Sequence, residues 1–153
     1  MFGYKIYNKP KNLKLSKQII VFIFEEINKN ITKSQNGILN IIFEGDDMIR
    51  QLNKNYRGID KSTDVLSFHY FDDFGSLKKS KIAGEIILSF DKIESQSKEF
   101  DNTIEEESYK LLVHSILHIL GFDHENDIDY EKMKIIEDEI IEKINKIHNI
   151  AIK

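Results

Sequence analysis

The sequence predicts an α+β fold: a small mixed four-stranded sheet packed with about five helices, the central one carrying a close pair of histidines. Three observations carry this expectation. The apolar patterns read β α β α β β α α α along the chain, which places helices over a sheet of few strands. A length of 153 residues, with 41% hydrophobic and 31% charged side chains, suits one folded unit with a real core. No internal repeat and no Pro-rich or Gly/Ser-rich linker interrupts it, so a single domain over residues 1–153 is expected.

Tyr4-Lys5-Ile6-Tyr7 alternates as a short first strand does. From Leu15 to Ile27, apolar residues at 15, 19, 20, 23 and 27 follow helical spacing. Gly37 opens the β-branched run Ile38 to Glu44, closed by Gly45. Asp46 and Asp47 then place carboxylates on the first turn of a helix reaching about Tyr56, where they face the positive end of the macrodipole. Val65 to Tyr70 and Ile82 to Phe90 read as the third and fourth strands, and Asp91 to Phe100 as a short helix. Thr103 caps a helix running from Ile104 to Gly121, with Glu105 and Glu106 in its first turn. Met133, Ile136, Ile140 and Ile144 mark one face of a last helix over about Ile128 to Ile147.

With no Cys in the chain, a disulfide scaffold, a Cys-based zinc finger, an iron–sulfur cluster and a cysteine nucleophile are all excluded. Any transition metal must sit on His and carboxylates. Met1 to Pro10 has no signal-peptide pattern, and the longest apolar run, Ile19 to Phe24, is too short for a bilayer span of roughly 20 residues. A cytoplasmic protein with no membrane partner is expected. The net charge of −4 argues against a nucleic-acid partner only until it is divided along the chain. The first 81 residues are net +5, with 14 Lys/Arg against 9 Asp/Glu, whereas residues 91–153 carry eight Lys against sixteen Asp/Glu. Only two basic residues are Arg, Arg50 and Arg57, and a guanidinium binds phosphate in a bidentate way that an ammonium cannot. Arg50, Lys54 and Arg57 form a basic stripe on the second helix.

The chemistry concentrates at His114-x3-His118-x2-Gly121-x2-His124. Residues four apart on a helix share a face, so the two imidazoles can converge on one ion. With His114 at zero, His118 falls at roughly 40° and Glu107 at roughly 20°. Tyr109, Leu112, Ile116 and Leu120 take the opposite side, so one face is core and the other is the site. Gly121 suits the left-handed turn that ends a helix and lets His124 return from the loop. Three neutral nitrogen donors are a zinc set that leaves a fourth position for water. His69, near a strand end, and His148, in a polar tail past the last helix, do not join this cluster.

Metzincin proteases share the spacing but place a Glu general base after the first His; here that residue is Ser115, which cannot serve. The run His114-Ser115-Ile116-Leu117-His118-Ile119-Leu120-Gly121-Phe122-Asp123-His124 instead closely resembles the signature of the YbeY family of bacterial rRNA maturation endoribonucleases, H-G-x-L-H-L-x-G-[aromatic]-D-H. The segment from Asn53 through Tyr56-Arg57 to Thr63-Asp64-Val65-Leu66-Ser67-Phe68 is similar to that family's N-x-x-Y-R and T-D-V-L-S-F block. Ala83-Gly84-Glu85-Ile86 resembles its G-[DE]-I strand. Ser115 and Ile119 depart from the usual Gly and Leu, and Ser115 is expected near the metal.

The resemblance implies that His114, His118 and His124 bind one zinc ion and that Arg57 is the catalytic or substrate-orienting cation. It implies a single-strand-specific endoribonuclease acting in 16S rRNA 3′-end processing and ribosome quality control, with ribosomal or assembly-protein partners and no DNA. The residue chemistry agrees: phosphodiester cleavage needs an activated oxygen nucleophile and a cation for the phosphoryl charge. Asp123 can orient a histidine or cap the loop, and Thr63 and Asp64 can fix a turn or line the cleft. Glu85 lies on a strand of unassigned face, and no carboxylate stands out as general base. Water attack and 2′-OH attack therefore both remain open. A hydrolase of another substrate such as a peptide, and a non-catalytic zinc-containing ribosome factor, are the alternatives on the same residues.

Overall fold

The computed structural model describes residues 1–122 and 127–153. Its elements are β1 (Gly3–Tyr7), α1 (Lys17–Asn30), β2 (Ile38–Glu44), α2 (Asp46–Arg57), β3 (Val65–His69), β4 (Ile82–Ser89), α3 (Phe90–Phe100), α4 (Ile104–Ile119) and α5 (Asp127–His148). The order is the one expected, and the ends are set by local capping chemistry. α1 starts after Ser16, whose hydroxyl accepts the Ile19 N–H, so Leu15 precedes the helix. α4 opens on a full capping box, Thr103 Oγ1 accepting the Glu106 N–H and Glu106 the Thr103 N–H; such a cap contributes about 1 kcal/mol.

The strands lie in the order β1-β2-β4-β3, with β1, β2 and β4 parallel and β3 antiparallel to β4. The interior strands β2 and β4 are apolar along the face that meets α1, α4 and α5, and mixed along the other, where Asn40 and Glu85 sit beside Ile42 and Ile87. One face, with Leu39, Ile41, Phe43, Ile86 and Leu88, packs into the main core with α1, α4 and α5. The other carries Leu66 and Ile87 against Ile49 of α2. Gly84 on β4 cannot be replaced cheaply: a Cβ there would stand 2.4 Å from the Phe68 carbonyl of β3.

α4 runs through the middle and is buried nearly all round, including Leu111, Leu112, Val113, Ile116 and Leu117. Its buried polar groups are satisfied locally. Ser108 Oγ donates to Ile104 O at 2.7 Å and Ser115 Oγ to Leu111 O at 2.6 Å. Glu107 accepts from Gln96 and Asn102 and pairs with Lys110. The helix ends at Ile119, two residues short of the expected Gly121. Gly121, at φ 101°, donates to His118 O and Phe122 donates to Leu117 O, which closes the last turn. His148 is not in a tail: it is the last residue of α5 and packs edge-on against Phe22 of α1, with ring centroids 5.1 Å apart.

Candidate active site

Where the C-terminal half of α4 passes the edge strand β3, a cleft of about 780 Å³ opens. Arg57, residues 63–69, His114, His118, Gly121 and Phe122 line it. The size falls within the usual range for a small-molecule or nucleotide site. Two distant stretches, the end of α2 and the end of α4, are brought together only because β3 follows α2 directly and pairs on the outside of β4.

His114 and His118 are half-buried, and their Nε2 atoms face each other at 3.0 Å. The rings cross at 73°. His114 Nδ1 shares a short hydrogen bond with Glu137 Oε1 of α5. A carboxylate can only accept, so it fixes the proton on Nδ1 and leaves the His114 Nε2 lone pair directed at His118. Two nitrogens each about 2.0–2.1 Å from one tetrahedral ion stand roughly 3.4 Å apart. The observed pair is close to that geometry, and a carboxylate-braced imidazole is the arrangement that metal-binding histidines use. Two imidazole nitrogens so placed can share one divalent metal ion. No group of three or more His, Cys, Asp or Glu side chains is close enough to hold an ion among the described residues. His124 and Asp123 lie outside the described residues.

Arg57 reaches the cleft from the last turn of α2. Its Nη1 donates to Asn53 Oδ1 at 3.3 Å, and the buried Asn53 in turn donates to Lys61 O at 2.8 Å. Gly58, left-handed at φ 70°, ends the helix immediately after it. The basic stripe expected on α2 divides. Arg50 is engaged by Asp60 at 2.8 Å and, with Lys54, borders a separate shallow concavity.

Asp64 also lines the cleft; it accepts from Thr63 Oγ1 and Gln96 Nε2, both at 3.4 Å, and Gln96 is held in turn by the buried Glu107. Glu107, placed by its helical angle beside the histidines, thus acts under the cleft floor. Glu85 turns to the α2 side of the sheet, where it accepts from Tyr70 and Asn40. Burial, and then Glu85, push the Tyr70 hydroxyl up to about 12. Ser115 does not line the cleft: it is buried, and its hydroxyl is spent on its own helix. Two cleft neighbours were not singled out by the sequence. Glu137 stands 23 residues from its partner on another helix, and no motif marks it. The other is His69, which strand alternation from Val65 places on the α4 face.

Fold and cleft together define a class: an α+β domain whose central helix presents paired imidazoles to a cleft flanked by a guanidinium. The family model described as Endoribonuclease YbeY matches residues 5–145, and the chain belongs to that family. Similar proteins include Endoribonuclease YbeY of Sulfurihydrogenibium sp., 38% identical over 141 residues, covering 92% of this chain and 88% of the relative. The protein of the same description from Aquifex aeolicus is 41% identical over 109 residues, 71% of each chain. A solution structure of a Thermotoga maritima protein matches with a TM-score of 0.63 at 30% identity, over 94% of this chain and 89% of that one.

Proposed function

We propose that this chain is a zinc-dependent endoribonuclease that cuts single-stranded RNA during rRNA maturation, working as one unit over residues 1–153 in the cytoplasm with ribosomal partners. Membership of an endoribonuclease family supports the reaction class. The observation that carries the assignment of the site is the His114–His118 pair, braced by Glu137, in one cleft with Arg57. No helix among the described residues is long and apolar enough to cross a membrane.

In this reading His114, His118 and His124 hold the ion. A zinc ion there would supply Lewis acidity toward the phosphoryl group and the attacking oxygen. The protein's own groups do the rest. Glu137 keeps the proton on His114 Nδ1, so that Nε2 stays a donor of electrons. Arg57 supplies paired N–H donors to the non-bridging phosphoryl oxygens, where negative charge grows on the way to the transition state. Asn53 removes the freedom of the Arg57 side chain before substrate arrives, and the neutral amide does so without cancelling its charge.

The test is cleavage of a single-stranded RNA by wild type and His118→Ala, with end-group analysis and a peptide substrate alongside. RNA cleavage that chelation abolishes and zinc restores is expected, with no peptide cleavage. A 2′,3′-cyclic phosphate end identifies 2′-OH attack, and a simple monoester identifies water. Cleavage that persists in metal-free protein or in His118→Ala removes the metal from the reading.

A further inference from the structure

The cleft is lined by seven consecutive residues, 63–69, of both side-chain parities. A strand seen face-on would offer only alternate residues, so the cleft looks onto the backbone edge of β3. That edge is the outer one, because among the described residues β3 ends the strand order and pairs with β4 alone. The hydrogen bonds fix which groups point where. Tyr70 N–H donates to Ala83 O, and Ser89 N–H donates to Asp64 O, both at 2.9 Å. In an antiparallel pair these positions alternate, so residues 64, 66, 68 and 70 bond β4. Val65, Ser67 and His69 therefore turn their N–H and C=O groups outward into the cleft.

The same three residues put their side chains on the α4 face, since Val65 packs into the main core while Leu66 packs with Ile49 of α2. His69 ends this row and is exposed. A carbonyl oxygen can only accept, so the contact of His69 Nδ1 with Phe71 O at 3.3 Å puts the proton on Nδ1. Nε2 is then the acceptor of the neutral ring. His69 lines the same cleft as His114 and His118.

We infer that the outer edge of β3, ending in His69, is the subsite that binds the RNA strand beside the scissile phosphate. The inference rests on the endoribonuclease reading and names how the strand is held. Outward N–H and C=O groups match the mixed donors and acceptors of unpaired base edges, the part of single-stranded RNA that carries hydrogen-bonding capacity. RNA is favoured over an added peptide strand because the Arg57 guanidinium, a partner for phosphate, lines the same cleft. His69 is a binding residue here, and it takes no part in bond breaking.

The experiment compares wild type, His69→Ala, His69→Gln, Ser67→Pro and Ser67→Ala, all zinc-loaded. The readouts are kcat and KM on a single-stranded RNA and the Kd of the matching 2′-O-methyl oligonucleotide. His69→Ala is expected to raise Kd and KM roughly fivefold to tenfold with kcat and zinc content within about twofold, as for one lost hydrogen bond. His69→Gln restores most of the affinity. Ser67→Pro deletes an outward N–H that β4 does not use, which an edge strand tolerates, and is expected to weaken binding where Ser67→Ala does not; thermal melts check that both fold. Unchanged Kd and KM in His69→Ala and Ser67→Pro overturn the subsite while leaving the enzyme assignment standing. Loss in kcat alone, or displacement of the oligonucleotide by an extended peptide, also overturns it. A wild type that neither binds nor cuts RNA overturns the parent reading itself.

Discussion

Arg50 and Arg57 stand about two turns apart on α2, and they are the chain's only two arginines. Arg50 meets a carboxylate: its Nε and Nη2 donate to the two Asp60 oxygens at 2.8 and 3.3 Å, both partners exposed. Arg57 meets a neutral amide, Asn53, and faces a cleft with two imidazoles. The first guanidinium is already neutralised by its neighbour and adds little in water. The second is oriented and still carries its full charge toward whatever enters. The partner's charge, more than the arginine itself, separates a surface residue from a candidate catalytic one.

The largest effect expected on this view comes from the groups Arg57 faces. His118→Ala should bring zinc content and RNA cleavage to background, read by metal analysis and a gel assay. Arg57→Lys should lower cleavage roughly 10²- to 10³-fold with zinc retained, because an ammonium cannot reproduce the paired donors. Arg50→Lys should leave the rate within about twofold. Equal losses in the two lysine variants would erase the contrast between the arginines.

Positioning residues come next. Glu137→Gln keeps the shape but loses the charge that holds the His114 proton, and a roughly 10- to 100-fold loss of zinc affinity is expected, measured by competition with a chelator. Asn53→Ala should cost about 1–2 kcal/mol of stability in a denaturant melt, since it leaves the Lys61 carbonyl and Arg57 without their amide. The same variant should lower kcat with KM little changed. Full activity in Asn53→Ala would show that Arg57 orients itself.

How much of this was readable beforehand follows from the range of each interaction. The order of elements and the Thr103 capping box depend on neighbours within four residues, and both were legible. So were the i, i+4 histidines and the helix-ending turn at Gly121. The bracing of His114 by Glu137 and the capture of Arg50 by Asp60 depend on how α5 packs and how the chain turns after Gly58; no local pattern encodes either. His69 was an intermediate case. Alternation from Val65 gave its face, but only the pairing of β3 on the outside of β4 reveals that the face opens on a cleft. Ser115, next to His114, spends its hydroxyl within its own helix, since a buried helical serine bonds the carbonyl four residues back.

The smallest effect sharpens the same contrast with the acids at the two ends of α2. Burial pushes the Asp46 carboxyl up, but hydroxyl bonds from Ser89 at 2.7 Å and Ser62 at 2.8 Å, with Lys92 beyond, outweigh it and hold the group below 3.8. The Arg50 hydrogen bond lowers Asp60 too. Both are depressed in the folded state, so each supports folding fully above about pH 4 and loses that support as pH falls through its folded value. Their causes differ, and salt separates them. Raising salt from 0.05 to about 0.5 M screens the solvated Arg50–Asp60 pair and should return Asp60 toward its ordinary value. The hydroxyl bonds to Asp46 persist, so its depression should survive in the same carboxylate NMR titration. If both shifts vanish together, Asp46 is held by Lys92 rather than by Ser62 and Ser89, and the distinction between a screened charge and one oriented by neutral groups fails at this end of the helix.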